Sequence, residues 1–362
     1  MFSRGPDRWS PASSWITGPV ALGLLAAAVI GGAAVNSAPD ADPFAFVRPS
    51  IHVSPTERRK IDRGEVLVKI LPGQGREIAV FAAGSLNASA DTLIARVRNI
   101  VELKKSSYVP AIARFSDPPD ITDLSTLTLD EVDLTGIRNC RPGNCELKLG
   151  AAEIERLRGV IAVNGGNWKV AVTQEFRRLV LERVNAYLAR GHRGIPDYQA
   201  RQEPVSLGST FSMLLQRSPY LQAPATELAG YLERYPAVRL PGLESFLYWS
   251  KEKFARKPVI SVTHVAIMRG NGRSQFPEVL IASKQVFATH YTNGALALTM
   301  LLSDPPGSSP NYLVYVNRSM VDVAAGFLGS RRVLIERRVR QETERIFAIQ
   351  RSRIEGNTLS QQ

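Results

Sequence analysis

The only two cysteines of this 362-residue chain stand in the segment NCRPGNC, at Cys140 and Cys145. Such a pair is suited to metal binding, thiol redox exchange or a structural disulfide. A zinc site needs two further ligands, and no other Cys or His lies within forty residues of the pair. Redox motifs have a two-residue spacer, whereas this spacer has four residues. The Pro-Gly-Asn turn at its centre can bring the two Cβ atoms together and predicts a local disulfide.

Two of the four histidines could take part in acid–base chemistry. His264 in SVTHVAI and His290 in FATHYTN each follow a threonine within a predicted strand. If the two strands are neighbours, both rings could act as acid and base on one substrate, or orient a polar head group. The alternative is a pair of hydrogen-bonded structural histidines, because no nucleophile motif or carboxylate pair accompanies them.

Aromatic and basic side chains form the other candidate binding groups. The segment GLESFLYWSKEKF could line the site of an amphiphile, or it could anchor a loop to the core. Arg318 precedes Asp322 by four residues, a spacing that suits a local ion pair or an inward guanidinium for a lipid phosphate. The candidate ligand-binding residues are His264, His290, Tyr291, Trp249, Tyr248 and Arg318.

No metal or nucleotide cofactor is expected. The glycine segments GQG and NGG lack the strand–loop–helix context and the lysine of a phosphate-binding loop.

The N-terminus predicts export. Residues 1–14 carry Arg4 and Arg8 and form a cytoplasmic n-region, and residues 15–35 contain no charge. The uncharged run has the length of either a signal peptide or a transmembrane anchor, and both remain open. Residues 36–53 form a linker with acidic positions, which places the rest of the chain outside the cytoplasm. We therefore expect a periplasmic or inner-membrane-anchored protein.

The charge of the chain favours anionic partners. With 44% hydrophobic and 22% charged residues the composition is that of a folded protein, and its formal charge is +12. Residues 40–362 alone carry +11. For an exported chain the expected anionic partner is a phospholipid head group or a cell-wall polymer rather than nucleic acid.

Hydrophobic periodicity predicts one α+β domain over residues 54–356. A short helix, a hairpin and an amphipathic helix open it over residues 54–105. An acidic, irregular stretch with the cysteine loop spans 116–149, and a helical insertion spans 150–236. Long β-rich segments and a final helix follow over 258–355, and we expect a disordered tail at 357–362.

This order of elements resembles that of the START-like superfamily, also called SRPBCC or helix-grip domains. The resemblance covers GEVLVKI to VELKK at residues 64–105, and the segment from 258 to 355 that ends in NYLVYVNRSMVDVAAGFLGSRRVLIERRVRQETERI. It implies a curved antiparallel sheet that grips the C-terminal helix around an elongated cavity for a lipid-like ligand. We therefore expect a binding protein for a hydrophobic molecule. The alternatives are an enzyme that uses His264 and His290 on a hydrophobic substrate, and a non-catalytic scaffold of the cell envelope.

Overall fold

The structure is a computed structural model that describes residues 42–357, except 49, 200–202, 223–224, 255–256, 274, 304–306, 308 and 323–324. The side chains of residues 254 and 325–331 are also not described. The predicted n-region at 1–14, the uncharged segment at 15–35, the linker up to residue 41 and the tail from 358 lie outside the described residues. Within the described residues, no helix is both long enough and apolar enough to span a bilayer.

The domain contains eight strands and ten α-helices among its described residues. The strands are β1 (Leu67–Leu71), β2 (Glu77–Leu86), β3 (Ala111–Arg114), β4 (Glu244–Phe254), β5 (Lys257–Arg269), β6 (Val279–Ala288), β7 (Thr292–Leu302) and β8 (Asn311–Val321). The helices are α1 (Pro55–Asp62), α2 (Ala90–Arg98), α3 (Ile100–Lys104), α4 (Glu131–Asn139), α5 (Ala151–Asn164), α6 (Trp168–Arg190), α7 (Leu207–Gln216), α8 (Pro219–Gln222), α9 (Thr226–Arg234) and α10 (Ala325–Ile354).

The eight strands form one curved antiparallel sheet in the order β1-β2-β8-β7-β6-β5-β4-β3. From the β3 edge the chain returns strand by strand to β8, which pairs with β2 over residues 77–86. Helices α4 to α9 are inserted between β3 and β4. The predicted α+β class with an antiparallel sheet is confirmed, and helices α5 to α9 occupy most of the stretch predicted as a helical insertion.

One face of the sheet, which we call the α6 face, carries Leu247, Val262, His264, Ala266 and Leu298. Two buried clusters cover it. The N-terminal segment with α1 and α7 to α9 covers one part, and α4 to α6 cover the other. This face is therefore sealed by a continuous helical layer.

The opposite face, which we call the α10 face, carries Val80, Ala82, Tyr248, Val265 and Leu313. Helices α2, α3 and α10 pack on it through a third buried cluster. Gly84 of β2 allows the close approach of α10, because a Cβ atom at this position would lie 2.9 Å from the Phe347 ring. Helix α10 thus lies along β1 and β2, over one margin of the α10 face.

Local signals fix several element ends. Ser54 begins α1 with a capping box, in which its hydroxyl accepts from Glu57 N–H and the Glu57 carboxylate accepts from Ser54 N–H. Ser89 caps α2 by accepting from Thr92 N–H. Cys140 and Cys145 form a disulfide with an S–S distance of 1.97 Å, which is the pairing that the spacing predicted. The disulfide closes the loop directly after α4.

Candidate functional site

His264 lies on β5 in a sealed cluster under the helical layer. Its Nδ1 atom lies 2.9 Å from the Tyr187 hydroxyl, and its Nε2 atom lies 3.3 Å from the Tyr231 hydroxyl. The cross-strand neighbour of His264 is Lys284, and both side chains have no exposed surface. Burial, reinforced by the Lys284 charge, lowers the pKa of His264 to about 3. The ring is therefore neutral and fully engaged by tyrosine hydroxyls.

His290 lies in a different hydrogen-bond network, beyond the end of β6. Its Nε2 atom lies 2.7 Å from Asp133 Oδ1 of α4, and its Nδ1 atom lies 3.1 Å from the carbonyl oxygen of Glu146. Both ring nitrogens therefore lie within hydrogen-bond distance of oxygen atoms from other segments of the chain. Among the described residues no hydrogen bond or ring contact joins His264 to His290. The structure therefore gives the two rings separate partners.

Three further candidates hold elements of the domain together. Arg318 on β8 donates to Glu77 Oε1 at 2.6 Å, and Arg217 of α7 donates to the same buried carboxylate at 2.9 Å. Trp249 is fully buried on the α6 face and donates from Nε1 to the carbonyl of Asp123 at 2.8 Å. The Tyr291 hydroxyl accepts from the Lys257 N–H at 2.9 Å.

Tyr248 is the candidate that reaches the α10 face, because it alternates with Trp249 along β4. Its hydroxyl accepts from Lys104 Nζ, at the end of α3, at 3.1 Å. Lys104 also donates to the Glu252 carboxylate at 2.8 Å, and Ser250 donates to the same carboxylate oxygen at 2.8 Å. These four side chains form what we call the Lys104 cluster.

The electrostatics of the Lys104 cluster are those of a recessed ion pair. Burial alone would lower the pKa of Lys104, but Glu252 and Tyr248 raise it above its ordinary value. Burial would likewise raise the pKa of Glu252, but Lys104 lowers it. Even so, the Lys104 and Glu252 side chains keep 26% and 38% of their surface accessible. The pair therefore lies deep among protein atoms while remaining open to solvent.

Tyr315 of β8 shows how strongly the sheet curves towards this face. In a flat sheet the four steps from β4 to β8 would span about 19 Å. Burial raises the pKa of Tyr315, and Asn317, Lys104, Tyr248 and Glu252 are all near enough to contribute to the shift. Because the sheet is curved and Tyr315 lies within electrostatic reach of the Lys104 cluster, we infer that the α10 face is the concave one.

The floor of this concavity is only partly covered. In the middle of β7 and β8 the side chains on the α6 face are buried, whereas those on the α10 face, from Ala295 to Thr299 and from Tyr315 to Ser319, are partly exposed. The partly exposed floor residues are mostly small or neutral and polar: Ser261, Thr263, Ser283, Gln285, Ala295, Ala297, Asn317 and Ser319. We call this half-open concavity the groove.

Helix α10 connects the two margins of the groove. Phe347 packs against β2, as described above, and the Arg345 guanidinium lies 4.1 Å from the centroid of the Tyr108 ring, close to the β3 edge. Further along the helix, Arg353 donates to the carbonyls of Leu103 and Lys105 at 2.7 and 2.9 Å. The helix is therefore held at both margins, while the floor beneath it stays partly accessible.

Sequence reasoning identified Tyr248 but missed its partners. Lys104 reads as the charged end of an amphipathic helix, and Glu252 stands 148 residues further along the chain. One sequence pattern could have revealed Glu252. Phe246, Tyr248, Ser250 and Glu252 alternate along β4, so they share one face of the strand and place a carboxylate beside the aromatic residues.

No metal centre accompanies these clusters in the described part of the chain, where no group of three or more His, Cys, Asp or Glu side chains could hold an ion. No protein-family model, curated protein sequence or solved structure matches the chain. The site geometry is therefore the basis for any functional assignment.

Proposed function

We propose that the chain is a non-catalytic binding protein that holds an amphiphilic, lipid-like molecule in the groove beneath α10. In this proposal the curved sheet grips α10 as a helix-grip domain does. The Lys104 cluster receives the polar head group of the ligand. The domain acts outside the cytoplasm, either released after export or held by residues 15–35.

The accessible ion pair between Lys104 and Glu252 carries the proposal. Burying a charged pair costs free energy unless the charges are well compensated, so an ion pair recessed in a concavity but left open suggests a role in binding. Lys104 uses two of its three donors, on Tyr248 and Glu252. The third donor and the remaining lone pairs of Glu252 can serve a ligand that both accepts and donates hydrogen bonds.

The floor residues favour an amphiphile over a purely apolar ligand. A hydrocarbon placed over the hydroxyl and amide groups of the floor would remove them from water without replacing their hydrogen bonds. A ligand with a polar head and one narrow apolar chain avoids this cost, since Ala295 and Ala297 provide a strip without polar side chains. The head-group chemistry that fits is hydroxylated or zwitterionic, because Lys104 and Glu252 together are neutral.

The geometry favours binding over the enzyme alternative. An enzyme using both histidines would need His264 and His290 to reach one substrate. His264 faces the helical layer between two tyrosines, and His290 is held by Asp133 and a backbone carbonyl. Neither ring is among the side chains of the groove.

The test measures binding of a fluorescent lysophospholipid to residues 41–362. This part forms one compact unit that contains all three hydrophobic cores, so it can be studied apart from the N-terminus. We expect saturable binding, and roughly tenfold weaker affinity after Lys104→Gln or Glu252→Gln, since hydrogen bonds to charged groups contribute more than neutral ones.

The matched control is Lys169→Gln, which breaks a solvent-exposed lysine–glutamate ion pair with Glu131 on the helical layer. Its affinity for the probe should equal that of the wild type. If the probe does not bind, or if it binds both groove variants with wild-type affinity, the groove is not the binding site. Melting temperatures of all variants show whether a loss of affinity reflects unfolding.

A further inference from the structure

The outward side of α10 carries an exposed apolar pair. Val333 and Leu334 are 78% and 67% exposed. Further along the same helix, Val339 and Phe347 pack on the sheet. An apolar pair this exposed, on a helix that is otherwise anchored, marks an interaction surface rather than a core contact.

Unpaired arginines surround this apolar pair. Arg337, Arg338 and Arg340 are exposed and have no acidic partner among the described residues. Arg337 and Arg338 follow Val333 and Leu334 by one helical turn, so the four side chains share one side of the helix. We call this set, with Arg340, the basic stripe. Glu342, an exposed carboxylate one turn beyond Arg338, pairs with Arg345, and Glu344 lies one turn beyond Arg340.

The other charged groups of this part of α10 are already engaged. Arg332 pairs with Glu336 at 2.6 Å, and Arg345 pairs with Glu342 at 2.9 Å. The stripe is therefore cationic and apolar at once, a combination that matches the anionic head groups and acyl boundary of a bilayer. A protein partner would need an acidic groove of matching length, whereas a membrane offers both properties over a wide surface.

We propose that the basic stripe docks the domain on an anionic membrane surface. The valine and leucine enter the interface and the arginines contact lipid phosphates. The inference stands independently of the groove, because it uses only the outward side of α10. It also places α10 between the bilayer and the groove, the position from which a small movement of the helix would open the groove towards lipid.

The test is sedimentation of residues 41–362 with vesicles, which avoids the contribution of the apolar segment 15–35. We expect binding to vesicles of phosphatidylcholine and phosphatidylglycerol in equal parts, and weak binding to phosphatidylcholine alone. Replacing both Arg337 and Arg338 with Gln should lower the partition coefficient roughly 30-fold, since each arginine near an anionic surface contributes a factor of about five. Val333→Ser with Leu334→Ser should lower it about tenfold through lost apolar contact.

The control replaces Val163 and Val170 with Ser, two exposed valines at the tip of the hairpin between α5 and α6. This variant should bind vesicles as the wild type does, whereas a loss of binding there would move the membrane contact to the helical hairpin and overturn the proposal. Equal binding to neutral and anionic vesicles, or wild-type binding by the arginine variant, would also overturn it. An absence of vesicle binding, with a change of oligomeric state in the Val333 and Leu334 variant, would assign the stripe to self-association instead.

Discussion

Lys284 should destabilise the protein at neutral pH, and replacing it with methionine should therefore stabilise the fold. The side chain has no exposed surface, its Nζ atom lies 2.5 Å from the carbonyl oxygen of Leu232, and the Phe211 ring centroid lies 4.1 Å away. Burial lowers the pKa of this amine well below its ordinary value, although the Glu233 charge acts in the opposite direction. The folded protein therefore holds the Lys284 proton less tightly than the unfolded chain does.

The expected gain in the free energy of unfolding follows from the cost of releasing the proton of Lys284. A lysine in the unfolded chain has a pKa near 10.4, and at neutral pH each unit by which burial lowers the folded pKa costs roughly 1.36 kcal/mol of stability. Lys284→Met removes this cost and loses one hydrogen bond to the Leu232 carbonyl, which costs about 1–3 kcal/mol. The methionine fills a similar volume. Because the pKa is lowered well below its ordinary value, the relieved cost should exceed that of the lost hydrogen bond, and the variant should be more stable at pH 7 by about 1 kcal/mol or more.

The pH dependence isolates the effect. Between the lowered folded pKa and about 10.4, the unfolded state binds one proton more than the folded state at Lys284, so stability rises with pH there. Urea unfolding at pH 7, 8 and 9 should show the advantage of the methionine variant shrinking by roughly 1.4 kcal/mol per pH unit. This decrease would not appear if the buried amine were protonated.

A lysine of similar burial provides the control. Lys251 has 6% relative exposure and donates to Asp130 and to the Thr128 carbonyl. Lys251→Met removes a paired ammonium and leaves a carboxylate without its partner, so it should destabilise the protein. A destabilised Lys284→Met variant, or an advantage that stays constant from pH 7 to 9, would refute the reasoning that burial lowers the pKa of Lys284.

Three further changes test other parts of the structure. Glu77→Gln removes a buried carboxylate that serves two arginines and should cost roughly 3 kcal/mol in urea unfolding, while the exposed Glu65→Gln should cost less than about 0.5 kcal/mol. The pKa of His264 is lowered to about 3, so the unfolded state binds the additional proton below pH 6.5 and stability falls as the pH falls. Between pH 7 and pH 5 the free energy of unfolding of His264→Phe should therefore fall by about 2 kcal/mol less than that of the wild type. If both proteins showed the same pH dependence, the ring would not be held neutral. Gly84→Val places side-chain atoms against Phe347 and should loosen α10, which faster amide hydrogen exchange along that helix would reveal and unchanged exchange would contradict.

The sheet could be predicted where its strands alternate or run apolar, and β5 to β8 lie in the stretch predicted to hold long β-rich segments. Strand β4 was harder to recognise, because both of its faces are covered and its dense aromatic residues resemble a loop anchor. The alternation places Tyr248 in the groove and Trp249 under the helical layer. Helix α4 was missed because its acidic first turn follows a proline-rich stretch that looked irregular throughout.

The candidate site was less accessible to sequence reasoning, because its polar groups meet only in three dimensions. Lys104 and Glu252 belong to elements separated by the whole helical insertion, and nothing local to either residue predicts the pair. For the same reason the sequence left His264 open between acid–base chemistry and a structural role. A lone histidine in an apolar strand gives no sign of the tyrosines that occupy both of its nitrogens.

The two faces of the sheet use polar residues in opposite ways. On the α6 face, His264, Lys284 and Arg318 are buried, and each forms a hydrogen bond within the protein. A ligand that replaced one of these partners would disturb a packed core. On the α10 face, Lys104 and Glu252 keep accessible surface and spare hydrogen-bonding capacity. A ligand can replace water there without breaking a core contact. This difference leads us to assign binding to the groove and structural support to the conspicuous histidine and arginine of the α6 face.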